Sequence, residues 1–199
     1  MSYDTLPLEY PFYGSGDFRS PAFGVRFDDG TAVAEPKYRS HTIRPGKPRL
    51  EGLPATYTES DAEASTLEIT LEDEPSGLAV VLCYTAFESF PVVARSARIV
   101  CGERPVTLTR ALSLALDFPD SAYTMLQLSG SWARERHIHA RPLVPGIQAI
   151  DSTRGSSSHM QNPFMALSGP CAGEDHGEVY GFSLVYSGSF YAEIGRAHV

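Results

Sequence analysis

Apolar and polar residues alternate along most of this chain, which is the spacing of β-strands that bury one face. The cleanest run is Leu67–Glu72, where leucine and isoleucine alternate with polar residues. Short clusters of Gly, Pro, Asp and Ser separate the runs, and no long stretch keeps the spacing of an amphipathic helix. The predicted strands are Ala22–Phe27, Thr31–Ile43, Leu67–Glu72, Leu78–Phe87, Val92–Cys101, Val106–Asp117, Tyr123–Leu128, Trp132–Arg141, Ile147–Ile150, Phe164–Leu167 and Glu178–Tyr186. Ten or more short strands with close turns predict an all-β sandwich.

Two places in this pattern bear on the pairing and on the length of the predicted strands. Asp28-Asp29-Gly30-Thr31 carries the signature of a hairpin turn, which predicts that the first two strands are neighbours. Leucines at positions 112, 114 and 116 allow a helix, because leucine favours helices, but their spacing of every second residue favours a strand that continues to Asp117.

The segment Ser152–Phe164 fits neither a strand nor a helix. It concentrates hydroxyl groups with Arg154 and His159, and it closes with Asn162-Pro163-Phe164, a turn signal followed by an apolar residue. Loops carried by a rigid scaffold often hold functional residues, and polar connections without any function are also common. The segment is therefore either a functional loop or an ordinary connection.

Composition and charge narrow the class of protein. The 199 residues fit one large domain, and the formal charge of -8 argues against nucleic acid or an anionic membrane surface as partner. No apolar run approaches the roughly 18 residues of a membrane span, and the start lacks the basic and apolar regions of a secretory signal. Cys83, Cys101 and Cys171 lack paired spacing, which predicts small buried thiols in a reducing compartment, the cytoplasm.

The histidines offer one candidate metal site. His137 and His139 would lie on the same face of a strand, a spacing that metal sites in cupin-like barrels use. A further glutamate shortly downstream would be needed, and none follows before Glu174. Surface strand histidines are the better interpretation, as is a solvated turn for His176, so no metal or cofactor is predicted.

Nucleophilic and acid–base chemistry have no supporting motif. Ser156–Ser158 with His159 would need the serine and the base to be placed correctly, which adjacent residues rarely achieve, and no G-x-S-x-G elbow occurs. A glycosidase needs two carboxylates at a defined separation, but no spacing selects such a pair from the available acids. Those acids are Asp17, Asp28, Asp29, Glu51 and Asp117. Asp17 beside Arg19 is interpreted as a local pair that braces the first segment.

Several separated motifs occur in a fixed order between Asp4 and Ala192. They are D-T-L-P-L-E-Y-P-F-Y-G-S-G-D-F-R-S-P-A-F, L-E-G-L-P-A-T-Y, W-A-R-E-R, R-G-S-S-S-H-M-Q-N-P-F and G-E-V-Y-G-F-S-L-V-Y-S-G-S-F. Together they resemble the N-terminal domain of bacterial α-galactosidases of glycoside hydrolase family 36. The resemblance implies a large antiparallel β-sandwich, a galactose-mutarotase-like supersandwich, followed in the family by a (β/α)8 barrel and a small C-terminal β domain.

The resemblance also implies what lies outside this chain. The family's aspartate nucleophile and aspartate acid/base belong to the barrel, so no catalytic residue can be carried onto this sequence, and the chain alone is expected to be inactive. Family members carry further sandwich strands before the first motif, so we expect residues 1–192 to be a sandwich that lacks its first strands. Residues 193–199 depart from the family pattern and are compatible with a sequencing-library adapter, which predicts a non-native tail.

The expected function is that of a non-catalytic N-terminal domain in a cytoplasmic retaining α-galactosidase acting on raffinose-type or melibiose-type substrates. The expected partners are the catalytic barrel, the α-galactoside and further copies in a homo-oligomer. A stand-alone carbohydrate-binding sandwich is the alternative, with Trp132 as its aromatic contact for sugar, and a cupin-like metal enzyme is a third option.

The resemblance changes the interpretation of Ser152–Phe164. Because the family's chemistry lies on the barrel, the loop is better interpreted as a contact surface for the barrel or for a neighbouring subunit. The residues assigned to this interface are Arg154, Ser158, His159, Asn162 and Phe164.

Overall fold

The computed structural model describes residues 8–14, 20–102, 104–119, 122–157 and 159–196, and these residues form an all-β protein, as predicted. The strands in the described residues are β1 (Phe23–Phe27), β2 (Lys37–Pro45), β3 (Ala64–Asp73), β4 (Leu78–Phe87), β5 (Val93–Val100), β6 (Val106–Ala111), β7 (Thr124–Ser131), β8 (Arg134–Pro142), β9 (Gly146–Ser152), β10 (Gln161–Ser168), β11 (Val179–Ser183) and β12 (Phe190–Arg196). One 3-10 turn, Asp61–Glu63, precedes β3. No helix among these residues has the length and apolar character needed to cross a membrane.

The chain divides into two compact units, and the first comprises the described residues of Met1–Arg49 and Thr56–Asp117. Its larger sheet has the strand order β2-β3-β4-β5, and its smaller sheet pairs β1 with β6. Both sheets are antiparallel, so alternate residues of each strand face the same side. The two sheets bury their apolar faces against each other, which makes this unit a β-sandwich.

The core of the first unit explains why the alternating runs fold as strands. Phe23 on β1 and the pair Leu78 and Val80 on β4 are almost completely buried. Burying each such side chain stabilises the fold by about 1.5–3 kcal/mol, which requires the polar residues between them to face outward. The buried cluster is Tyr10, Phe12, Ala22, Phe23, Val25, Phe27, Ala34, Leu78, Val80 and Leu82.

Polar contacts attach two irregular segments to this core. The Arg95 guanidinium donates to Glu9 Oε1 at 2.9 Å and to the carbonyl of Ala115 at 2.9 Å, and it stacks over the ring of Tyr84 at 4.4 Å. The Tyr84 hydroxyl donates to the same Glu9 oxygen at 2.6 Å. We call this set the Arg95 clamp. The Arg95 side chain is only 13% exposed, whereas that of Glu9 is 55% exposed, so the bond to Ala115 is better shielded from water than the bonds to Glu9.

Three further hydroxyl groups of the first unit, those of Tyr10, Thr66 and Thr85, are also paired. The Tyr10 hydroxyl donates to the carbonyl of Leu112 at 2.6 Å, and burial raises the pKa of Tyr10 to about 12. Thr66 Oγ1 lies 2.8 Å from Thr85 Oγ1 and donates to the carbonyl of Gly46 at 2.7 Å. Hydrogen bonds of this kind remove the penalty for burying polar atoms.

Strand β2 forms one edge of the larger sheet, and all nine of its residues are exposed. Its cations face acids on or beside the sheet: Arg44 Nη2 lies 2.6 Å from Glu68 Oε1, and Arg39 Nε lies 3.4 Å from Glu72 Oε2. The pairing with β3 shifts register between Tyr38 and Ser40, which marks a bulge in this edge strand.

The second unit comprises Leu50–Ala55 and the described residues of Phe118–Val199. Its sheets have the orders β11-β10-β7-β8 and β12-β9, and both are antiparallel. The buried residues of its core are Met125, Leu143, Ile150, Leu167 and Phe190. Aromatic rings pack against this core edge to face, with Phe118 and Tyr180 centroids 4.8 Å apart. The second unit is therefore also built from two sheets around an apolar interior.

The interior of the second unit includes polar atoms that lack partners. Gln127 Oε1, Arg141 Nε and Gln148 Nε2 are buried and have no hydrogen-bond partner among the described residues. Only the Nη2 atom of Arg141 is engaged, with the carbonyl of Ala149 at 3.0 Å. A buried polar atom without a partner costs about 1–3 kcal/mol.

The structure corrects the predicted hairpin. The chain does turn after β1, where Asp29 Oδ1 accepts from the Thr31 backbone and hydroxyl and Arg104 binds Asp28 and Asp29. However, β1 pairs with β6 and β2 pairs with β3, so the two strands are not neighbours. The turn signature was correct, but it could not specify the partner of either strand.

Several strand boundaries also differ from the prediction, and one strand was not predicted. Strand β2 begins at Lys37, where its pairing with β3 begins, and not at Thr31, and β11 ends at Ser183, where its pairing with β10 ends, and not at Tyr186. Strand β6 ends at Ala111 and not at Asp117, because its partner β1 begins at Phe23, which lies opposite Ala111. Strand β10 begins at Gln161, inside the segment predicted to be irregular, and β12 was not predicted at all. Strand β12 extends from Phe190 to Arg196 along β9, and the origin of residues 193–199 stays a prediction.

The cysteines are free, as predicted, but only Cys83 is partly buried. Cys101 and Cys171 are exposed, so their prediction as buried thiols is wrong. Cys101 lies just after the end of β5 at Val100, in a connection rather than inside a strand.

Candidate functional site

The hairpin between β7 and β8 has a strained tip. Ala133 and Arg136 have φ values of 61° and 59°, and they are the described non-glycine residues with positive φ. This left-handed conformation costs roughly 1–2 kcal/mol for residues with a side chain beyond glycine. A Cβ atom at Gly130 would lie 2.0 Å from the carbonyl oxygen of Arg134, so only glycine fits there. Strain of this kind commonly clusters at binding sites.

Trp132 lies at this tip, outside either strand, and is 83% exposed. The predicted strand from Trp132 onward therefore starts two residues later, at Arg134. The indole is exposed, as a contact with sugar would require, and that contact stays a prediction.

Glu135 is held by the backbone of the same turn. Its Oε1 atom accepts from the backbone N–H of Ala133 at 2.9 Å. Hydrogen bonds from the backbone N–H groups of Glu135 and Ala133 lower the pKa of this carboxyl, and the charges of His159 and Arg136 lower it further. The carboxylate is therefore ionised and fixed in direction, which suits hydrogen-bond acceptance rather than general acid chemistry.

The loop between β9 and β10 is also held in place. Ser152 Oγ donates to the carbonyl of Ser156 at 3.0 Å, and the Ser157 N–H donates to the carbonyl of Ser187 at 2.8 Å. The Gly155 N–H donates to Ser189 Oγ at 3.0 Å. The positive φ of 77° at Gly155 explains why glycine occupies this turn.

The hairpin and the loop meet along one side of the second unit. Gln161 lies opposite Ser129 in the pairing of β10 with β7, and the Gly130 N–H donates to the carbonyl of Met160 at 3.2 Å. Between them lies an open depression of about 490 Å³, which we call the polar depression. It is lined by Glu135, Arg136, Ser157, His159 and Asn162.

Asn162 contributes an unpaired polar atom to this surface. Its Oδ1 atom is buried and has no hydrogen-bond partner among the described residues. The amide oxygen is therefore not held by an intramolecular hydrogen bond. A small rotation of the side chain can turn this oxygen toward a ligand without breaking a hydrogen bond of the oxygen.

The predicted interface residues do not all lie at one site. His159 and Asn162 line the polar depression, whereas Arg154 is exposed and does not line it. Phe164 is half-buried within β10 and also lies outside the lining. Ser158 lies outside the described residues. Whether these residues contact another domain or subunit stays a prediction.

Glu135, Arg136 and Ser157 were missed by sequence reasoning. They come from two segments about twenty residues apart, and only the register between β7 and β10 brings those segments together. The W-A-R-E-R motif marks the hairpin. Alternation alone, however, gave no reason to distinguish Glu135 from an ordinary acidic residue on the exposed face of a strand.

The candidate metal-binding histidines lie beside residues of β7, and two of the candidate acids are bound within a turn. His137 and His139 lie opposite Ser129 and Gln127 on β7, and no group of three His, Cys, Asp or Glu side chains suited to a metal occurs in the described part of the chain. Asp28 and Asp29 are bound by Arg104 and Thr31, and these hydrogen bonds hold the pKa of both carboxyls below the usual range. Asp17 lies outside the described residues.

Comparison with known proteins gives one consistent family. Residues 1–199 match the model of the glycosyl hydrolase family 36 N-terminal domain. Alpha-galactosidase AgaA from Geobacillus stearothermophilus is 55% identical over 196 residues, which is 98% of this chain and 27% of that protein. Alpha-galactosidase Mel36A from Lactobacillus acidophilus is 42% identical over 197 residues, which is 98% of this chain and 27% of that protein.

A solved structure agrees with this match. A variant of AgaA from Geobacillus stearothermophilus in complex with raffinose superposes with a TM-score of 0.95 at 53% identity, covering 99% of this chain and 28% of the other. The chain thus spans a little more than a quarter of the length of these relatives.

Proposed function

The chain belongs to the glycosyl hydrolase family 36 N-terminal domain family, and we propose that it serves an α-galactosidase as a non-catalytic domain. The whole enzyme would be a retaining glycosidase that removes terminal α-galactosyl residues from oligosaccharides such as raffinose or melibiose. This proposal rests on the extent of the match: 98% of the chain aligns with 27% of an α-galactosidase at 55% identity.

A non-catalytic role agrees with the state of the described carboxylates. Glycoside hydrolysis needs one carboxyl that can give a proton and a second one at a defined distance. Asp28, Asp29 and Glu135 are instead held in their ionised form by hydrogen bonds. The chain alone is therefore proposed to be inactive, and the chemistry is assigned to the remainder of the enzyme, in the cytoplasm.

Support for a docking role comes from apolar side chains on the second unit. Ile138 on β8 is 72% exposed and Ile147 on β9 is 66% exposed, and Tyr191 on β12 is also exposed. Exposed apolar groups mark a contact surface where they form a continuous patch, and we propose that these three side chains belong to such a patch. We assign these residues and Arg154 to contacts with the catalytic barrel or a second subunit of a homo-oligomer.

Complementation tests this proposal. AgaA lacking the quarter that matches this chain is produced alone and together with the 199-residue chain, and hydrolysis of raffinose is measured. We expect activity only with both parts, and loss of that activity when Ile138→Asp and Ile147→Asp are combined. Ile43→Asp is the matched control, because Ile43 is equally exposed but lies on β2. Hydrolysis by the 199-residue chain alone would overturn the non-catalytic role.

A further inference from the structure

We propose that the β7–β8 hairpin and the polar depression form a saccharide-binding site on this chain. Trp132 supplies an aromatic surface for the sugar ring, while Glu135, Arg136, His159 and Asn162 supply hydrogen-bond partners for its hydroxyl groups. The ligand class is a neutral oligosaccharide. The proposal depends on residues of this chain and holds whether or not the domain serves an α-galactosidase.

The chemistry of the lining selects a polyhydroxylated ligand. Arg136 can only donate hydrogen bonds, the Glu135 carboxylate can only accept them, and Ser157, His159 and Asn162 can do both. A sugar hydroxyl is a donor and an acceptor at once, so neighbouring hydroxyls can use this mixed set fully. The fixed negative charge of Glu135 disfavours phosphates and carboxylates, and Arg136 beside it disfavours a bare cation.

The exposed indole adds an apolar surface of the right kind. Pyranose rings carry C–H groups on one face, and these pack against flat aromatic rings, which offer large apolar contact with few rotatable bonds. Trp132 is 83% exposed, at the tip of the hairpin whose β8 strand carries Glu135 and Arg136. The exposed indole is therefore available to a ligand in this chain, and the experiment below distinguishes a sugar from a protein partner.

The site is also held in shape before a ligand arrives. Gly130, Ala133 and Arg136 fix the hairpin in a conformation that ordinary residues avoid, and the Ala133 N–H orients the Glu135 carboxylate. A preformed arrangement reduces the entropy lost on binding. The Asn162 oxygen, which has no partner among the described residues, is the one group left to adjust.

The composition of the chain offers two clean probes, because Trp132 is the only tryptophan and Asn162 is the only asparagine. Raffinose is titrated into the 199-residue protein, and both tryptophan emission and the side-chain amide signal of Asn162 in a nitrogen-15 spectrum are recorded. We expect both signals to change with one saturation curve. Sorbitol at equal concentration controls for viscosity and is expected to produce no saturating change.

Two variants test the assigned partners. Glu135→Gln and Asn162→Leu are each expected to weaken raffinose binding about tenfold, because the first replaces a charged acceptor by a neutral amide and the second removes a hydrogen-bonding amide. Glu74→Gln, in an exposed turn of the first unit, is the matched control and is expected to bind like the unchanged protein. Circular dichroism establishes that each variant is folded, and the Asn162 signal of the unchanged protein gives a reading that needs no variant.

Two results would overturn the proposal. One is the absence of a saturating change in either signal with raffinose, melibiose or stachyose. The other is a change in both signals that follows protein concentration and not sugar concentration, which would make the polar depression a contact between copies of the chain.

Discussion

The two units differ in how many of their buried polar atoms complete hydrogen bonds. In the first unit the Arg95 clamp, the Tyr10 hydroxyl and the Thr66–Thr85 pair all complete hydrogen bonds within the unit. In the second unit Gln127, Arg141 and Gln148 each bury a polar atom that has no partner among the described residues. Both units have an apolar core, so burial of hydrophobic surface does not explain the difference.

The difference is one of degree. Buried polar atoms without a hydrogen bond cost free energy, and the second unit combines them with the strained β7–β8 hairpin. We therefore expect substitutions at paired groups of the first unit to lower stability, and a substitution that removes such an atom from the second unit to raise it.

The largest effect is expected from breaking the Arg95 clamp. Arg95→Ala removes bonds to Glu9 and Ala115 and the stacking on Tyr84, and it should lower the free energy of unfolding by about 1.5–3 kcal/mol, because several interactions of a half-buried charged group are lost together. Urea denaturation measures the change. Arg39→Ala is the control: this side chain is 66% exposed and pairs with Glu72 at 3.4 Å, so less than about 1 kcal/mol should be lost. Equal losses would contradict the assignment of a special role to the clamp.

A smaller effect is expected from Tyr10→Phe, about 0.5–1.5 kcal/mol at neutral pH, since the bond to Leu112 is lost. The folded pKa of Tyr10 is about 12, above the value of about 10 in unfolded chains. The stabilisation is therefore present below pH 10 and is lost as the pH rises through 12. Stability of the unchanged protein and of Tyr10→Phe should converge over that interval. Tyr57→Phe, at an exposed tyrosine, should show no such convergence.

The smallest effect is a gain, and it is expected in the second unit. Gln127→Leu removes a buried oxygen that has no described partner and keeps an apolar stem, so the free energy of unfolding should rise by about 0.5–1 kcal/mol. Thermal denaturation measures the shift. Gln161→Leu is the control, because Gln161 donates to the carbonyl of Leu128 at 3.5 Å and its replacement should give no gain. A loss of stability for Gln127→Leu would remove the contrast between the units.

Sequence alternation predicted strands well where one face of the strand is buried. It predicted them less well where the partner strand determines the length of the strand. Leu67–Glu72 lies inside β3, because its apolar residues face the core. The leucines after Ala111 keep the same spacing, but β1 is too short to pair with them, and the carbonyl of Leu112 accepts from Tyr10 instead. Spacing records which face is apolar, whereas the length of a strand depends on a partner that lies far away in the chain.

The candidate site was less accessible to sequence reasoning for a related reason. Trp132 and His159 could be selected as single residues, since the single tryptophan of the chain and a histidine in a polar loop are conspicuous. Their grouping with Glu135 and Arg136 depends on the register of β10 against β7, including its irregularity after Gln161. No local spacing in the sequence contains that register.

The open edge at β2 has a consequence for handling the protein. An exposed edge strand can recruit strands from other molecules, which is a common route to aggregation. Here the edge carries Lys37, Arg39 and Arg44, ends at Pro45 and contains a bulge, and each of these features hinders the approach of another strand. The edge is thus guarded against fibril-like growth, which suits the domain to remain dispersed at high concentration.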